Sequence, residues 1–275
     1  MLSQLGSLEW LGKPRYHKAM IKTNNSEDVA IVIPCHSYIQ WLPEALDSIL
    51  AQTVQPRQVI MVEDGNEDIF EYDAVFKAYE GKFEFLRHVA ISPAQGVCAV
   101  RNKGFKMAAL CDVKWVIPLD EDDLLRPKYI EKVMLSVQVC PQAKIHYTDW
   151  NIFGDTLGHK KTPDYSFDRL LQGPFITSTA LIHMDVFEAV REKNGDGYDE
   201  NLTRKGLRWE DYLFYLEAGA LGFDMARVGL GLLRARRHGE SGTTIADATI
   251  DEWHVYAKDK LHRLYDLDVQ TWQSP

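Results

Sequence analysis

Four acidic residues, Asp120, Glu121, Asp122 and Asp123, follow directly on the apolar run Trp115-Val116-Ile117-Pro118-Leu119. A buried strand ending this way places several negative charges at the carboxyl edge of a sheet. Like charges so close repel, and partial burial raises the cost. A divalent cation relieves it. Carboxylate oxygens suit Mg²⁺, Mn²⁺ or Ca²⁺, and Mg²⁺ is usually shared with substrate phosphates. The plainer alternative is a solvated acidic loop in which an Asp caps the next helix.

Such a run needs a sheet to hold it. Val29-Ala30-Ile31-Val32-Ile33, stopped by Pro34, reads as a strand buried on both faces. Leu42, Ala45, Leu46, Ile49 and Leu50 have helical spacing, with Pro43 in the first turn. A second strand over 58–62 stops at Glu63-Asp64-Gly65. The alternation continues with a helix over 69–79, a strand over 83–88, a helix over 96–110, the strand before the acidic run, a helix over 127–139 and a strand over 144–148. Repeated βαβ units imply a mainly parallel sheet with right-handed crossovers. Ligands bind beyond the carboxyl ends of such strands, which singles out Cys35, His36, Glu63, Asp64, Asp120 and Asp122.

The second half is less regular. A strand is expected over 175–184, a short helix over 185–191, a turn at Asn194-Gly195-Asp196-Gly197, a helix over 209–221, and one or two strands over 224–233. An amphipathic helix over 245–264 carries Trp253, Tyr256, Leu261 and Leu264. It could pack on the core, make a homodimer or touch a membrane surface, and core packing is the default. The organisation expected is an extension over 1–28, one domain over 29–244 with halves meeting at 123/124, and a helical segment over 245–275.

The 275 residues are 45% hydrophobic and carry a net charge of −9, which argues against a broad nucleic-acid-binding face. Cys35, Cys98, Cys111 and Cys140 form no CxxC pair and no zinc spacing, so they read as reduced thiols near the core. The first residues lack a signal-peptide pattern, and no stretch approaches the ~20 apolar residues of a membrane span. A cytoplasmic protein, at most peripheral to the membrane, is expected.

Taken together, these residues resemble the inverting glycosyltransferases of family 2. Residues 29–34 with the following helix and Gln52-Thr53 look like the family's opening segment. Val62-Glu63-Asp64-Gly65 is similar to its Val-Asp-Asp-Gly, with Glu63 in place of the first Asp. Gly96 through Ala99, Arg101, Asn102 and Gly104 match a Gly…Ala-x-Arg-Asn-x-Gly segment. Leu119 to Asp123 matches Leu-Asp-x-Asp-Asp, and Gly197-Tyr198-Asp199-Glu200 followed by Glu210-Asp211 matches the tail of the pattern. Cys35-His36-Ser37 replaces the usual Tyr-Asn after the first strand.

The resemblance implies an α/β fold of the GT-A kind, Rossmann-like, with an acceptor-side second half. It implies transfer of a sugar from a nucleotide-diphosphate sugar, a UDP-sugar favoured, to a hydroxyl of a saccharide, lipid-linked or protein acceptor. Asp122 would ligate Mn²⁺ or Mg²⁺, Asp120 would touch ribose or the metal shell, and His238 would approach the diphosphate or metal. Asp64, with Glu63, Pro34, Cys35 and His36 nearby, would meet the nucleotide. Arg101 would reach the base or diphosphate, or form a structural ion pair. Asp211 would be the catalytic base, supported by Glu210; as plain acids they would only favour a helix start. Thr177-Ser178-Thr179 would line the donor sugar or acceptor site. Two other readings are a non-catalytic saccharide-binding domain on the same scaffold and a sugar-nucleotide pyrophosphorylase. The second would require a Gly-rich basic loop after the first strand, which 34–38 does not supply. A dinucleotide-dependent oxidoreductase lacks its GxGxxG.

Overall fold

The computed structural model describes residues 28–65, 69–239 and 249–269. The expectations for the extension up to residue 27 and for a helix start at 245 lie outside the described residues. The chain begins β1 (Val29–Cys35), α1 (Leu42–Leu50), β2 (Gln58–Asp64), α2 (Ile69–Tyr79), β3 (Leu86–Ile91), α3 (Val97–Ala109) and β4 (Trp115–Pro118). It continues β5 (Leu124–Leu125), α4 (Tyr129–Val139), β6 (Ala143–Gly154), β7 (Gly158–Lys160), α5 (Phe167–Leu170), β8 (Leu181–His183), α6 (Met184–Asn194), α7 (Glu200–Arg204), α8 (Glu210–Ala220), β9 (Asp224–Arg237) and α9 (Ile250–Tyr265).

The strands form one sheet in the order β3-β2-β1-β4-β8-β6-β9-β5, with β7 beside β6. The long ladders β1/β2, β2/β3, β1/β4 and β6/β9 are parallel. The short strand β8 is antiparallel to both neighbours and joins the two halves. On β1, Ala30 and Val32 pack with Cys98, Val100, Phe105 and Ala108 of α3. Val29, Ile31 and Ile33 pack on the other face with Leu42, Ala45, Leu46 and Ile49 of α1. The continuous apolar run is thus buried on both sides, as a central parallel strand requires.

Two glycines set close approaches. Gly65 ends β2 at φ +59°, and a Cβ there would lie 2.3 Å from the Ala94 nitrogen. Gly104 lets α3 lie directly on β1, since a Cβ there would sit 2.2 Å from Val32 Cγ1. Gln52 fastens the end of α1 to the chain beyond the acidic run: its Nε2 donates to the Arg126 carbonyl (2.8 Å) and its Oε1 accepts from Ile130 N–H (3.2 Å).

Several expectations shift. The third strand starts at Leu86, because Phe83 turns inward to stack on Tyr79 at 6.5 Å rather than entering the ladder. The strand expected over 175–184 shrinks to Leu181–His183. Tyrosine hydroxyls, not a neighbouring strand, satisfy the carbonyls before it: Tyr215 donates to Thr177 (2.8 Å) and Tyr129 to Thr179 (3.0 Å). Conversely, β6 runs to Gly154 and β9 is a single strand to Arg237, with their register broken where Asp149 pairs Gly231. The pieces β5, β7, α5 and α7 are too short to leave a periodic trace. Helix α9 packs on the core: Trp253 is 1% exposed and stacks on Tyr212 of α8 at 5.0 Å.

The Gly104 contact gives a test. Gly104→Ala should destabilise the fold by about 1–3 kcal/mol through overpacking, read as a lower urea midpoint. Val32→Ala in the same chain should recover part of that loss, giving a non-additive pair. Additive effects would mean that the helix–strand approach is not the constraint.

Candidate active site

At the carboxyl ends of β1, β2 and β4 lies a cleft of about 610 Å³. Pro34, Cys35, His36, Asp64, Arg101, Asp120, Asp122, Glu210 and Asp211 all line it. The acidic run after β4 does not act as one patch, because each carboxylate turns a different way. Asp120 accepts from Arg101 Nη2 (2.8 Å) and from the Ser178 hydroxyl (3.0 Å). Glu121 is buried, and its Oε1 takes the N–H groups of His36, Ser37 and Tyr38 (2.9, 3.0 and 2.9 Å), while Tyr72 donates to Oε2 at 3.0 Å. Asp122 Oδ2 lies 3.0 Å from His238 Nε2. Asp123 accepts the Arg236 N–H at 2.8 Å, rather than capping α4.

Burial raises the Asp122 carboxyl, and the Asp120 charge adds to it, opposed by His238. Asp123 is raised further by deeper burial and by Asp122 and Asp120. His238 is clamped between rings, 4.7 Å from Tyr38 and 4.4 Å from Trp41, and Arg236 lies 5.1 Å from the Trp41 ring. Among the described residues no three His, Cys, Asp or Glu side chains converge as a ready-made metal site. Asp122 and His238 meet; Asp120, expected beside them, spends its oxygens on Arg101 and Ser178.

Arg101, on α3, is 2% exposed. Its guanidinium bridges Asp120 at the end of β4 and Glu210 at the head of α8. Burial opposes its charge, yet the Asp120 and Glu210 carboxylates hold it well above the ordinary arginine value. Both terminal nitrogens are thus committed to protein carboxylates, which is the ion-pair alternative for this residue. Asp211, half-buried, is pushed up to about 7 by burial and by the Glu210 charge, with Arg101 pulling the other way. Trp209, just before this pair, starts α8 in the left-handed region at φ 63°, ψ 39°.

At the ends of β1 and β2 the expectations divide. Asp64 stays at the cleft, and its oxygens accept the N–H groups of Gln95 (2.7 Å) and Gly96 (2.8 Å), which anchors the start of α3. Glu63, fully buried, is outside the cleft lining: its Oε2 meets His88 Nε2 at 2.9 Å, as alternation along a strand requires of the neighbour of Asp64. Cys35 is buried beneath the cleft, with its thiol raised by burial and by Glu121. His36 is exposed at the cleft, with Nδ1 3.3 Å from the Asp64 carbonyl.

Thr177 and Ser178 line the cleft and Thr179 does not, whereas Glu121 and the aromatic wall of Trp150, Phe175 and Trp209 are site residues that strand-end reasoning did not single out for these contacts. Glu121 carried a signal, since it lies between two acids that face the cleft. Trp150 and Phe175 carried none, because distant chain segments bring them together.

Residues 30–188 match the model of glycosyl transferase family 2. An uncharacterised glycosyltransferase of Haemophilus influenzae is 26% identical over 237 residues, 79% of this chain and 79% of its own length. One from Rickettsia bellii is 26% identical over 88% of this chain, which spans only 34% of that protein. Among solved structures, S. aureus TarS 1–349 in complex with UDP-GlcNAc shares the fold, with a TM-score of 0.69 at 16% identity, over 88% of this chain and 68% of that one. With that match across more than half its length, the chain belongs to glycosyl transferase family 2 and carries the GT-A kind of fold.

Proposed function

We propose that this chain transfers one sugar, with inversion, from a nucleotide-diphosphate sugar to an acceptor hydroxyl in polysaccharide or glycoconjugate synthesis. The observation that carries this reading is the Arg101 bridge, which sets Asp120 and Asp122 against the same cleft as Glu210 and Asp211. UDP is the favoured nucleotide, supported by the fold shared with a protein solved with UDP-GlcNAc. The use of a nucleotide sugar suits a cytoplasmic site of action, and among the described residues no helix is long and apolar enough to cross a membrane.

In a single displacement the acceptor oxygen bonds to the anomeric carbon while the bond from that carbon to the diphosphate oxygen breaks. The configuration inverts, and the electron pair of the broken bond leaves with the nucleoside diphosphate. Asp211 takes the hydroxyl proton. A carboxylate raised towards neutral is a better general base than an ordinary one. Asp122 and His238 are the residues that would hold Mn²⁺ or Mg²⁺, the imidazole nitrogen favouring Mn²⁺. They fit such an ion because a half-buried carboxylate with a raised pKa faces a ring nitrogen at 3.0 Å with open cleft beside them. With two such side chains, the diphosphate oxygens would complete the shell, and the ion would neutralise charge on the leaving group. Glu210 keeps Arg101 in place and, through its charge, keeps the base basic.

The pyrophosphorylase reading loses support at β1. The three consecutive N–H groups that could cradle phosphate all point at Glu121. A module that only binds saccharide has no use for a carboxyl raised to about 7 at the head of α8.

Two outcomes test this reading. Calorimetric titration with UDP, GDP, dTDP and CDP, with Mn²⁺ or EDTA, should give metal-dependent binding of one diphosphate, and Asp122→Ala should abolish the metal dependence. Unchanged UDP binding in that variant would remove the metal role. Asp211→Asn should keep nucleotide affinity and lower turnover by roughly 10²-fold or more. Because the base works deprotonated, wild-type kcat/KM should fall about tenfold per pH unit below about 7 and level off above it. An acid limb set near 4 would discard the raised pKa of Asp211.

A further inference from the structure

We propose that Trp209 is the platform on which the acceptor lies and that the acceptor is an uncharged pyranoside. This inference rests on the reading of Asp211 as the base, because it places the acceptor beside that residue. Trp209 lines the cleft and precedes Glu210-Asp211 in the chain. It is the bulky member of the described non-glycine residues with positive φ, at 63°, the others being Asp112 and Asp266. Asp tolerates this region; for a large side chain it is strained, and such strain clusters at functional sites. The strained turn brings the indole to the cleft at the residue where the helix carrying the base begins.

The partly buried ring is held steeply by its two aromatic neighbours. Tyr212 and Trp253 stack on each other, and both meet Trp209 steeply, at 67° and 61°. Neither lies along a face of the indole. Trp150 and Phe175 line the same cleft. A pyranose ring has a face of C–H groups that fits a flat aromatic ring and a rim of hydroxyls that needs acceptors. Glu210 and Asp211 supply acceptors at that place. Glu210 is paired with Arg101, whereas Asp211 makes no ion pair among the described residues and so disfavours an anionic group at that place. Arg208 adds an exposed cation at the cleft, so a phosphate-bearing acceptor is the competing occupant.

The test is saturation-transfer NMR on the whole chain, with and without UDP and Mn²⁺. The probes are the methyl β-pyranosides of glucose, galactose and N-acetylglucosamine, with glycerol phosphate and a serine-threonine peptide as the other arms. Expected is saturation of the C–H protons of one pyranoside face. Trp209→Gly should weaken that binding by about tenfold or more, roughly the worth of one aromatic contact. Glycine suits the left-handed backbone, so the fold should survive. UDP affinity should not change, and Trp209→Phe should restore much of the pyranoside signal. The proposal is overturned if glycerol phosphate or the peptide binds in preference, if no pyranoside is saturated, or if Trp209→Gly binds pyranosides as wild type does. Failure of wild-type UDP binding alone would instead strike the donor reading, since the arm without UDP still reports on Trp209.

Discussion

The buried guanidinium of Arg101 is the contact on which the site depends. It joins Asp120, at the end of a strand in the first half of the chain, to Glu210, at the start of a helix in the second. At 2% exposure its charge is tolerable only because two carboxylates face it. Removing one partner of such a group typically costs about 3–5 kcal/mol, since the remaining charge stays buried. Without it the carboxylates from the two halves of the chain would repel across the cleft. Arg101 therefore fixes where the halves meet and how much negative charge the cleft holds before substrate arrives.

The same economy orders the four acids after β4. Asp120 faces the guanidinium, Glu121 gathers the loop after β1, Asp122 meets His238, and Asp123 holds the backbone of β9. The sequence disclosed their place, because an apolar run buried on both faces must end at the carboxyl edge of a sheet. It did not disclose their directions, which depend on partners 19 to 116 residues away. The first half was legible for the same reason: strands buried on both faces and amphipathic helices repeat a simple period. Residues 175–180 misled, because their apolar and hydroxyl residues suit a strand while the tyrosines of α4 and α8 take the carbonyls that would have bonded one.

Other motif residues serve position more than contact. Asn102 pairs with the backbone of Tyr198 through both ends of its amide, at 2.8 Å each. Tyr198 stacks on Phe214 of α8 at 4.5 Å. Asp199 starts α7 and binds Lys260 of α9 at 2.6 Å, and Lys260 reaches Glu217 of α8 at 3.1 Å. Burial pushes Glu217 up to about 7, while Asp199, despite burial, is lowered chiefly by Lys260. The Gly-Tyr-Asp-Glu segment and the C-terminal helix thus brace α8 from behind. Sequence spacing gave these residues in order, but order alone cannot separate a brace from a ligand contact.

That bracing bears on Asp211, the base of the proposed reaction. Asp211 feels opposing pulls: burial and Glu210 raise it, whereas Arg101 and the Tyr212 N–H, 2.7 Å away, lower it. Each falls off steeply with distance in a poorly solvated site. A tilt of α8 that moved Glu210 off Arg101 would strengthen the raising influence and weaken the lowering one together, leaving the carboxyl protonated at neutral pH. The position of the helix and the basicity of the Asp211 carboxylate are therefore one quantity. In the proposed reaction a residue such as Lys260, remote from the cleft, would act on proton transfer by holding the geometry in which those opposing influences balance.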